Sequence, residues 1–556
     1  MSDDLSPASL EGYVPFPQER IDRYRDAGYW RDLTFHELLD QRADETPEKV
    51  AVTGPNRELT YAELAKRSRS LATALNANDV TAGERVIFQL PNSVEFLEAF
   101  FGCSRVGAIP VQALPRHREA EVRHLLDNFD TTAYLTAGDR YEMGFDFVSL
   151  VDNIESEYPH LETLIGVADD ANSLPGGWED FDSLCETTPD DERLDSLEIS
   201  PTEPGVMLLS GGTTGMPKGI PRTHNDYLYQ WEHMADVAGV DSDWVAFPSV
   251  PIGHNASLNC IVGAAIWEGA TVAVEPTLKP EALMDLIERE GGMYSLFIPT
   301  QLIDILEHPD LDEYDLSSLE VIISGGQKVL PHVVRDSVDA WDVGFCNIFG
   351  MAEGPLICTR PEDDVDIQAE TVGRPISDGA EVRIVGFDRE ETVPQGETGE
   401  LSVRGPGYFT GYFRNDEENA DNFDDDGWLY TEDVLSHRED GNYAVFGRIK
   451  NTIIRGGENI YAPGVEDIVA EHPDIANVAI VAMPDERLGE RPCAFVELTE
   501  DATPLTLDDL TEFLEERGVA VFKRPERLEV MRDLPRTEVG KLDKKRLEEL
   551  AAENAN

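Results

Sequence analysis

Leu209-Ser210-Gly211-Gly212-Thr213-Thr214-Gly215-Met216-Pro217-Lys218-Gly219 directly follows the apolar run Val206-Met207-Leu208-Leu209, which has the composition of a buried strand. Glycines let the backbone turn its N–H groups toward a ligand, and the Ser and Thr hydroxyls add neutral donors. Lys218 supplies a positive charge on a long, mobile stem. A strand that ends in such a loop can cradle a polyphosphate. It is not a Walker A loop, because Pro217 stands where that pattern has glycine and Gly219 where it has Ser or Thr. In isolation the stretch reads equally well as a flexible Gly-Thr turn. What surrounds it decides between the two.

The chain has 556 residues, 41% of them hydrophobic and 8% aromatic, more than a single ordinary core holds, so at least two domains are expected. Its formal net charge is −65, with the acidic residues spread along the whole chain. Nucleic acid is excluded as a partner, since a phosphate backbone demands a basic face. Dispersed acids suit a surface kept in solution at high salt, where screening removes self-repulsion, so a halophilic source is expected. The apolar stretch around 261–274 is broken by Gly263, Glu268 and Gly269 and is too short to span a bilayer. Met1-Ser2-Asp3-Asp4 lacks the basic and apolar segments of a signal peptide, so no membrane association and a cytoplasmic location are expected. Cysteines 103, 185, 260, 346, 358 and 493 lie far apart without a CxxC, which suggests neither a disulfide framework nor a zinc site.

Strand and helix signals alternate through much of the first 350 residues. Thr60-Tyr61-Ala62-Glu63 is a capping box that opens a helix with apolar Tyr61, Leu64, Leu71 and Leu75. Residues 85–90 read as a strand, followed by a helix through Val94, Leu97 and Phe101 and a strand over 108–111. Residues 293–298 read as a strand stopped by Pro299, with a helix beyond, and 319–324 and 343–349 as further strands. This pattern predicts α/β architecture with buried sheets. From Glu381 to Val403 short strands and Gly-rich turns predict a small β-rich subdomain. A boundary is placed at Gly447-Arg448-Ile449-Lys450, giving domains 1–449 and 450–556. The second carries strands at 478–481 and 493–498 and helices at 507–517 and 544–551.

Further motifs follow the glycine-rich loop. They are Ser324-Gly325-Gly326-Gln327, Asn347-Ile348-Phe349-Gly350-Met351-Ala352-Glu353-Gly354, Tyr430-Thr431-Glu432-Asp433, Gly456-Gly457-Glu458-Asn459-Ile460 and Pro535-Arg536-Thr537-Glu538-Val539-Gly540-Lys541. Together they resemble the adenylate-forming superfamily of acyl-CoA synthetases, nonribosomal-peptide adenylation domains and luciferases over nearly the whole chain. The resemblance implies a large N-terminal domain of two α/β sheet subdomains with a small β-barrel-like subdomain, then a small mobile α+β C-terminal domain. It also implies ATP as substrate, held by Ser210, Gly211, Gly212, Thr213, Thr214, Gly215 and Lys218 at the phosphates. Gly325, Gly326, Gln327, Phe349, Gly350 and Met351 would lie about the adenine, and Asp433 and Arg448 at the ribose. Glu353, with Thr214 through the ATP phosphates, is implied to hold Mg²⁺, an ion that needs hard oxygen ligands. Lys541 is implied as the catalytic lysine and Lys450 as the hinge of a rotation between two half-reactions. Alone, Glu353 would be a surface glutamate, and Lys541 a solvated neighbour of Lys544 and Lys545. Glu432 stands where the family usually has glycine, and Asn451 where it usually has aspartate beside the hinge.

Within the superfamily the chain looks most like the 2,3-dihydroxybenzoate and salicylate AMP ligases. Ala113-Leu114-Pro115-Arg116-His117-Arg118, Ile220-Pro221-Arg222-Thr223-His224-Asn225-Asp226-Tyr227 and Gly253-His254-Asn255 carry this likeness. It implies a small aryl carboxylic acid bound by His254, Asn255, Ala256 and Gly326, with Asn255 at the carboxylate and 2-hydroxyl edge. Ala256 replaces a tyrosine typical of that subfamily, and a pocket without that phenol is expected to be roomier; Asn259 replaces a small hydroxyl residue, and salicylate, benzoate and other aryl acids stay open. The thiol acceptor is either the phosphopantetheine of an aryl carrier protein or free coenzyme A, and no fused carrier domain is expected. Two rivals are a P-loop kinase, against which the Pro217-Lys218-Gly219 order argues, and a non-catalytic scaffold, which would be expected to have lost Lys541, Glu353 or Asp433.

Overall fold

Strand Pro204–Leu209 turns back on itself through the glycine-rich loop and pairs antiparallel with Gly219–Thr223, Leu209 opposite Gly219. The computed structural model describes residues 10–210, 216–449, 452–455, 458–485, 487–499, 502, 504–536 and 542–553. These fall into two compact units, 1–382 with 403–429, and 383–402 with 430–556.

The hairpin closes one edge of a seven-stranded sheet in the first unit. Across that sheet the strands run Trp178–Asp180, Thr163–Val167, Thr131–Ala137, Arg85–Gln89, Ile109–Gln112, Pro204–Leu209 and Gly219–Thr223, all parallel save the last pair. Pro221 is tolerated because its strand lies at the edge, where a missing N–H leaves no ladder bond unmade. A second, nine-stranded sheet has a parallel centre: Gly344–Gly350, Val321–Gly325, Tyr294–Phe297, Val245–Ala246, Thr271–Ala273 and Val50–Thr53. Antiparallel strands Leu356–Cys358 and Arg374–Pro375 cover one edge and Glu58–Thr60 the other. Strands buried on both faces explain why these segments read as unbroken apolar runs.

Local signals place the helices. Thr60 accepts from the N–H of Glu63 and the Glu63 carboxylate answers at Thr60, so helix Tyr61–Ala77 starts where the capping box predicts. Pro299 is the first residue of helix Pro299–Leu306, where its lost N–H costs nothing. Helix Val94–Val106 is buried at every position, its apolar residues interrupted by Glu95, Glu98 and Arg105, each of which is paired with an oppositely charged side chain. No sequence periodicity marks the π-helical segment Ala256–Gly263, which continues into helix Ala264–Glu268. Among the described residues no helix is long and apolar enough to cross a membrane.

The second unit holds a four-stranded sheet in the order Glu381–Val385, Thr398–Arg404, Leu429–His437 and Tyr443–Arg448, of which the β-rich reading of Glu381 to Val403 covers the first two strands. Its other sheet has five strands, ordered Glu458–Tyr461, Thr452–Arg455, Gly489–Leu498 and Ile475–Asp485, with Arg527–Met531 parallel to Gly489–Leu498. Helices Ala462–Ala470 and Leu507–Glu516 bury Val465, Val469, Leu510 and Leu514 with Ile480 and Val496 of this sheet.

Candidate active site

The mouth of the glycine-rich loop is pinned by two hydrogen bonds. Ser210 N–H donates to the Lys218 carbonyl at 3.0 Å, and Lys218 N–H donates to Ser210 Oγ at 3.0 Å. Gly211, Gly212, Thr213, Thr214 and Gly215 lie outside the described residues. The Lys218 ammonium pairs with the Glu418 carboxylate and stands 5.3 Å from the ring centroid of Tyr412.

Strands Val321–Gly325 and Gly344–Gly350 run parallel in register, Gly325 beside Ile348, so their C-terminal ends open side by side. Crevices at such ends are where open α/β sheets bind ligands. A Cβ on Gly325 would collide with the Ile348 carbonyl, and Gly326 takes φ +75°, so both positions require glycine. Gln327 beyond them is exposed, as is Gly350, while Phe349 and Met351 are half-buried. The structure thus brings the two predicted adenine segments to adjacent strand ends.

Glu353 follows in a tight turn and is 8% exposed. The Tyr412 hydroxyl donates to its Oε1 at 2.8 Å, and its Oε2 takes no hydrogen bond from any described residue. Its backbone is fixed on every side. Arg222 donates to the Ala352 carbonyl at 2.8 Å, Phe409 N–H to the Glu353 carbonyl at 2.9 Å, and the Gln230 amide to the Gly354 carbonyl. Gly354 takes φ +128°, where a Cβ would come within 2.6 Å of the Gly407 carbonyl oxygen. Arg222 is fully buried and also grips Asp226 at 2.6 Å, which in turn caps helix His224–Ala238. Nothing in the sequence pointed to Gln230 or Tyr412.

Asn255 immediately precedes the segment Ala256–Gly263, with no side-chain capping bond to it. Its Oδ1 accepts the Tyr227 hydroxyl at 2.9 Å, and its Nδ2 makes only a long 3.4 Å contact with the Met351 carbonyl. His254 reaches solvent yet is crowded by protein atoms, as a group lining a concavity is. That crowding, helped by the Arg116 charge, holds its imidazole below the usual value and so neutral at pH 7. His254 Nδ1 accepts the Ala256 N–H at 3.2 Å, which puts the ring proton on Nε2. Asn259 is fully buried and donates to Gln230 at 2.6 Å, leaving its Oδ1 without a partner.

In the second unit, Asp433 and Arg448 are directly opposed across two antiparallel strands. Arg448 Nε donates to Asp433 Oδ1 at 3.0 Å, and Asp433 is 5% exposed. Glu432 occupies the left-handed region at φ +59°, and its N–H donates to Glu400 at 3.0 Å. Lys450 and Lys541 lie outside the described residues, as do Asn451, Gly456 and Gly457. The six cysteines are free and buried.

A family model described as AMP-binding enzyme matches residues 39–413, and one described as AMP-binding enzyme C-terminal domain matches residues 464–541. The chain is 37% identical to a salicyl-AMP ligase/salicyl-S-ArCP synthetase of Mycobacterium tuberculosis, over 96% of this chain and 94% of that protein. It is 36% identical to a 2,3-dihydroxybenzoate-AMP ligase of Bacillus subtilis, over 98% of each. With a salicylyl-CoA synthase/salicylate adenylyltransferase of a Streptomyces species it shares 38% identity, over 98% of this chain and 99% of that protein.

Proposed function

The chain belongs to the AMP-binding enzyme family, and from that premise we propose that it activates an aryl carboxylic acid of the salicylate or 2,3-dihydroxybenzoate type with ATP. The acid's carboxylate oxygen attacks the α-phosphorus, the bond to pyrophosphate breaks, and aryl-AMP forms. A thiol then attacks the aryl carbonyl and releases AMP. The observation that carries this reading is that one buried tyrosine, Tyr412, meets both the Glu353 carboxylate and the Lys218 ammonium, while the Asn255 amide N–H makes only a 3.4 Å contact with the Met351 carbonyl.

Each group has an assigned task. Lys218 and the glycine-rich loop bind the phosphates, Gly325 to Gln327 and Phe349 to Met351 flank the adenine, and Asp433 with Arg448 takes the ribose hydroxyls. Asn255, with His254, Ala256 and Gly326 about it, takes the acid. Lys541 holds the carboxylate against the α-phosphate and stabilises the charge that develops there. Magnesium suits Glu353, whose Oε2 is an uncommitted hard oxygen donor in an otherwise fixed turn, and Thr214 joins it through the ATP phosphates. When bound it neutralises charge on the departing pyrophosphate. The small C-terminal domain, taken from residue 450 onward, pivots at Lys450 between the two steps.

The acceptor is assigned as the phosphopantetheine thiol of an aryl carrier protein, with free coenzyme A as the second reading because relatives bearing either acceptor in their names match end to end. A cytoplasmic location fits both. ATP–pyrophosphate exchange over a panel of carboxylic acids tests the first step. Exchange that depends on salicylate or dihydroxybenzoate supports the reading, and exchange with none of the aryl acids refutes it. Mass spectrometry of carrier protein and coenzyme A incubated with the enzyme, ATP and the active acid then identifies the acceptor.

A further inference from the structure

We infer that Tyr412 is a positioning residue that couples the two phosphate-binding groups, aiming the Glu353 carboxylate with its hydroxyl and seating the Lys218 ammonium over its ring. The inference rests on Glu353 being the magnesium glutamate. Four observations carry it. Tyr412 is 6% exposed, so its hydroxyl needs a partner, and that partner is Glu353 Oε1 at 2.8 Å. A donor fixed on one carboxylate oxygen stops the carboxylate from rotating and leaves Oε2 as the free face. The ring of the same side chain meets Lys218 Nζ at 5.3 Å, within the range of a cation–π contact. The backbone under it is rigid, because Tyr412 N–H donates to Asn419 Oδ1 at 2.7 Å and Asn419 Nδ2 donates back to the Tyr412 carbonyl at 3.0 Å.

The flanking residues tie this tyrosine to both sides of the site. Phe409 N–H holds the Glu353 carbonyl and Phe413 N–H holds the Gly219 carbonyl, each at 2.9 Å. The segment between them therefore spans from the glutamate turn to the base of the glycine-rich hairpin. Glu418, in the first turn of helix Asp416–Asn422, neutralises Lys218 without ligand. ATP phosphates must take over that ammonium from Glu418, while the Tyr412 ring stays beneath it.

The test uses the full-length protein, a non-hydrolysable ATP analogue and titration calorimetry, with and without Mg²⁺. Tyr412→Phe keeps the ring and removes the hydroxyl, so Mg²⁺ affinity in the analogue complex should fall about 10-fold, as for other partners that orient a metal ligand. Analogue affinity in EDTA should not change. Tyr412→Leu should also weaken the analogue in EDTA, because the cation–π contact is lost. Glu418→Gln should strengthen it several-fold by releasing Lys218. Unaltered Mg²⁺ affinity in Tyr412→Phe, where Glu353→Gln does weaken it, would overturn the inference and leave the metal reading standing. Unaltered Mg²⁺ affinity in Glu353→Gln itself would remove the metal reading.

Discussion

The Tyr227 hydroxyl donates to Asn255 Oδ1 at 2.9 Å. Oδ1 is thus spent on the protein, while Nδ2 makes only a 3.4 Å contact with the Met351 carbonyl, and it is Nδ2 that the proposed function assigns to the acid. Tyr227 is itself fully buried, so its hydroxyl depends on the same bond. Asn255→Leu keeps the volume, removes the donor and strands the tyrosine. It should cost about 1–3 kcal/mol in kcat/KM for an ortho-hydroxylated acid, the range of one lost buried hydrogen bond. Benzoate should suffer less. The ratio of exchange rates for dihydroxybenzoate, salicylate and benzoate decides it, and one common factor for all three makes Asn255 structural.

Lys541→Ala should lower aryl-AMP formation by about 10²–10³, the usual cost of a transition-state charge contact, while thiol transfer from supplied aryl-AMP stays near wild type. A proline at Lys450 should do the reverse, because a hinge needs dihedral freedom. Equal losses in both half-reactions for either variant contradict the assignment.

Glu432 stands at φ +59°, in the left-handed region that favours glycine, the residue that the family resemblance leads one to expect there. A side chain in the left-handed region costs about 1–2 kcal/mol, and glycine returns about 0.5–1 kcal/mol of that as chain entropy. Glu432→Gly should therefore leave stability unchanged or raise it by up to about 1 kcal/mol, although glycine in a strand ordinarily destabilises. Denaturant midpoints check this, and a clear loss of stability would mean the glutamate side chain offsets its own strain.

His224 is buried against Phe35 and accepts the Phe35 N–H on Nδ1 at 3.3 Å. Burial pushes its pKa down to about 3. The folded value lies below the unfolded one near 6.5, so the neutral ring contributes stability above pH 6.5 that is lost as pH falls toward 3. Between pH 7.5 and 5.5 this one group should remove about 1.4 kcal/mol. His36, also held to about 3, adds a similar loss. Urea titrations at the two pH values should show a smaller drop for His224→Asn than for wild type. The same drop in both would mean His224 is not the titrating group.

The order of strands and helices was legible because it is set over short distances. A capping box fixes a helix start within four residues, a proline fixes another, and apolar runs mark buried strands wherever the sheets lie. The doubled glycines at 325 and 326 and the Gly354 turn after Glu353 were legible too, since close backbone approach and positive φ admit little else. How those motifs are wired was not. Tyr412 is 59 residues from Glu353 in the chain, and Gln230 is 124 from Gly354. An ordinary tyrosine in a Gly-Tyr-Phe run and a glutamine inside a helix carry no local mark of such partners. Asn259, singled out in the sequence only as a departure from the family pattern, donates to Gln230 29 residues away. Sequence alone determined which residues could turn, bind or carry charge, because those are properties of a side chain and its immediate backbone. Only the tertiary structure decided which of them meet, because a hydrogen bond between distant residues exists only once both sheets have packed and brought the two segments to the same place.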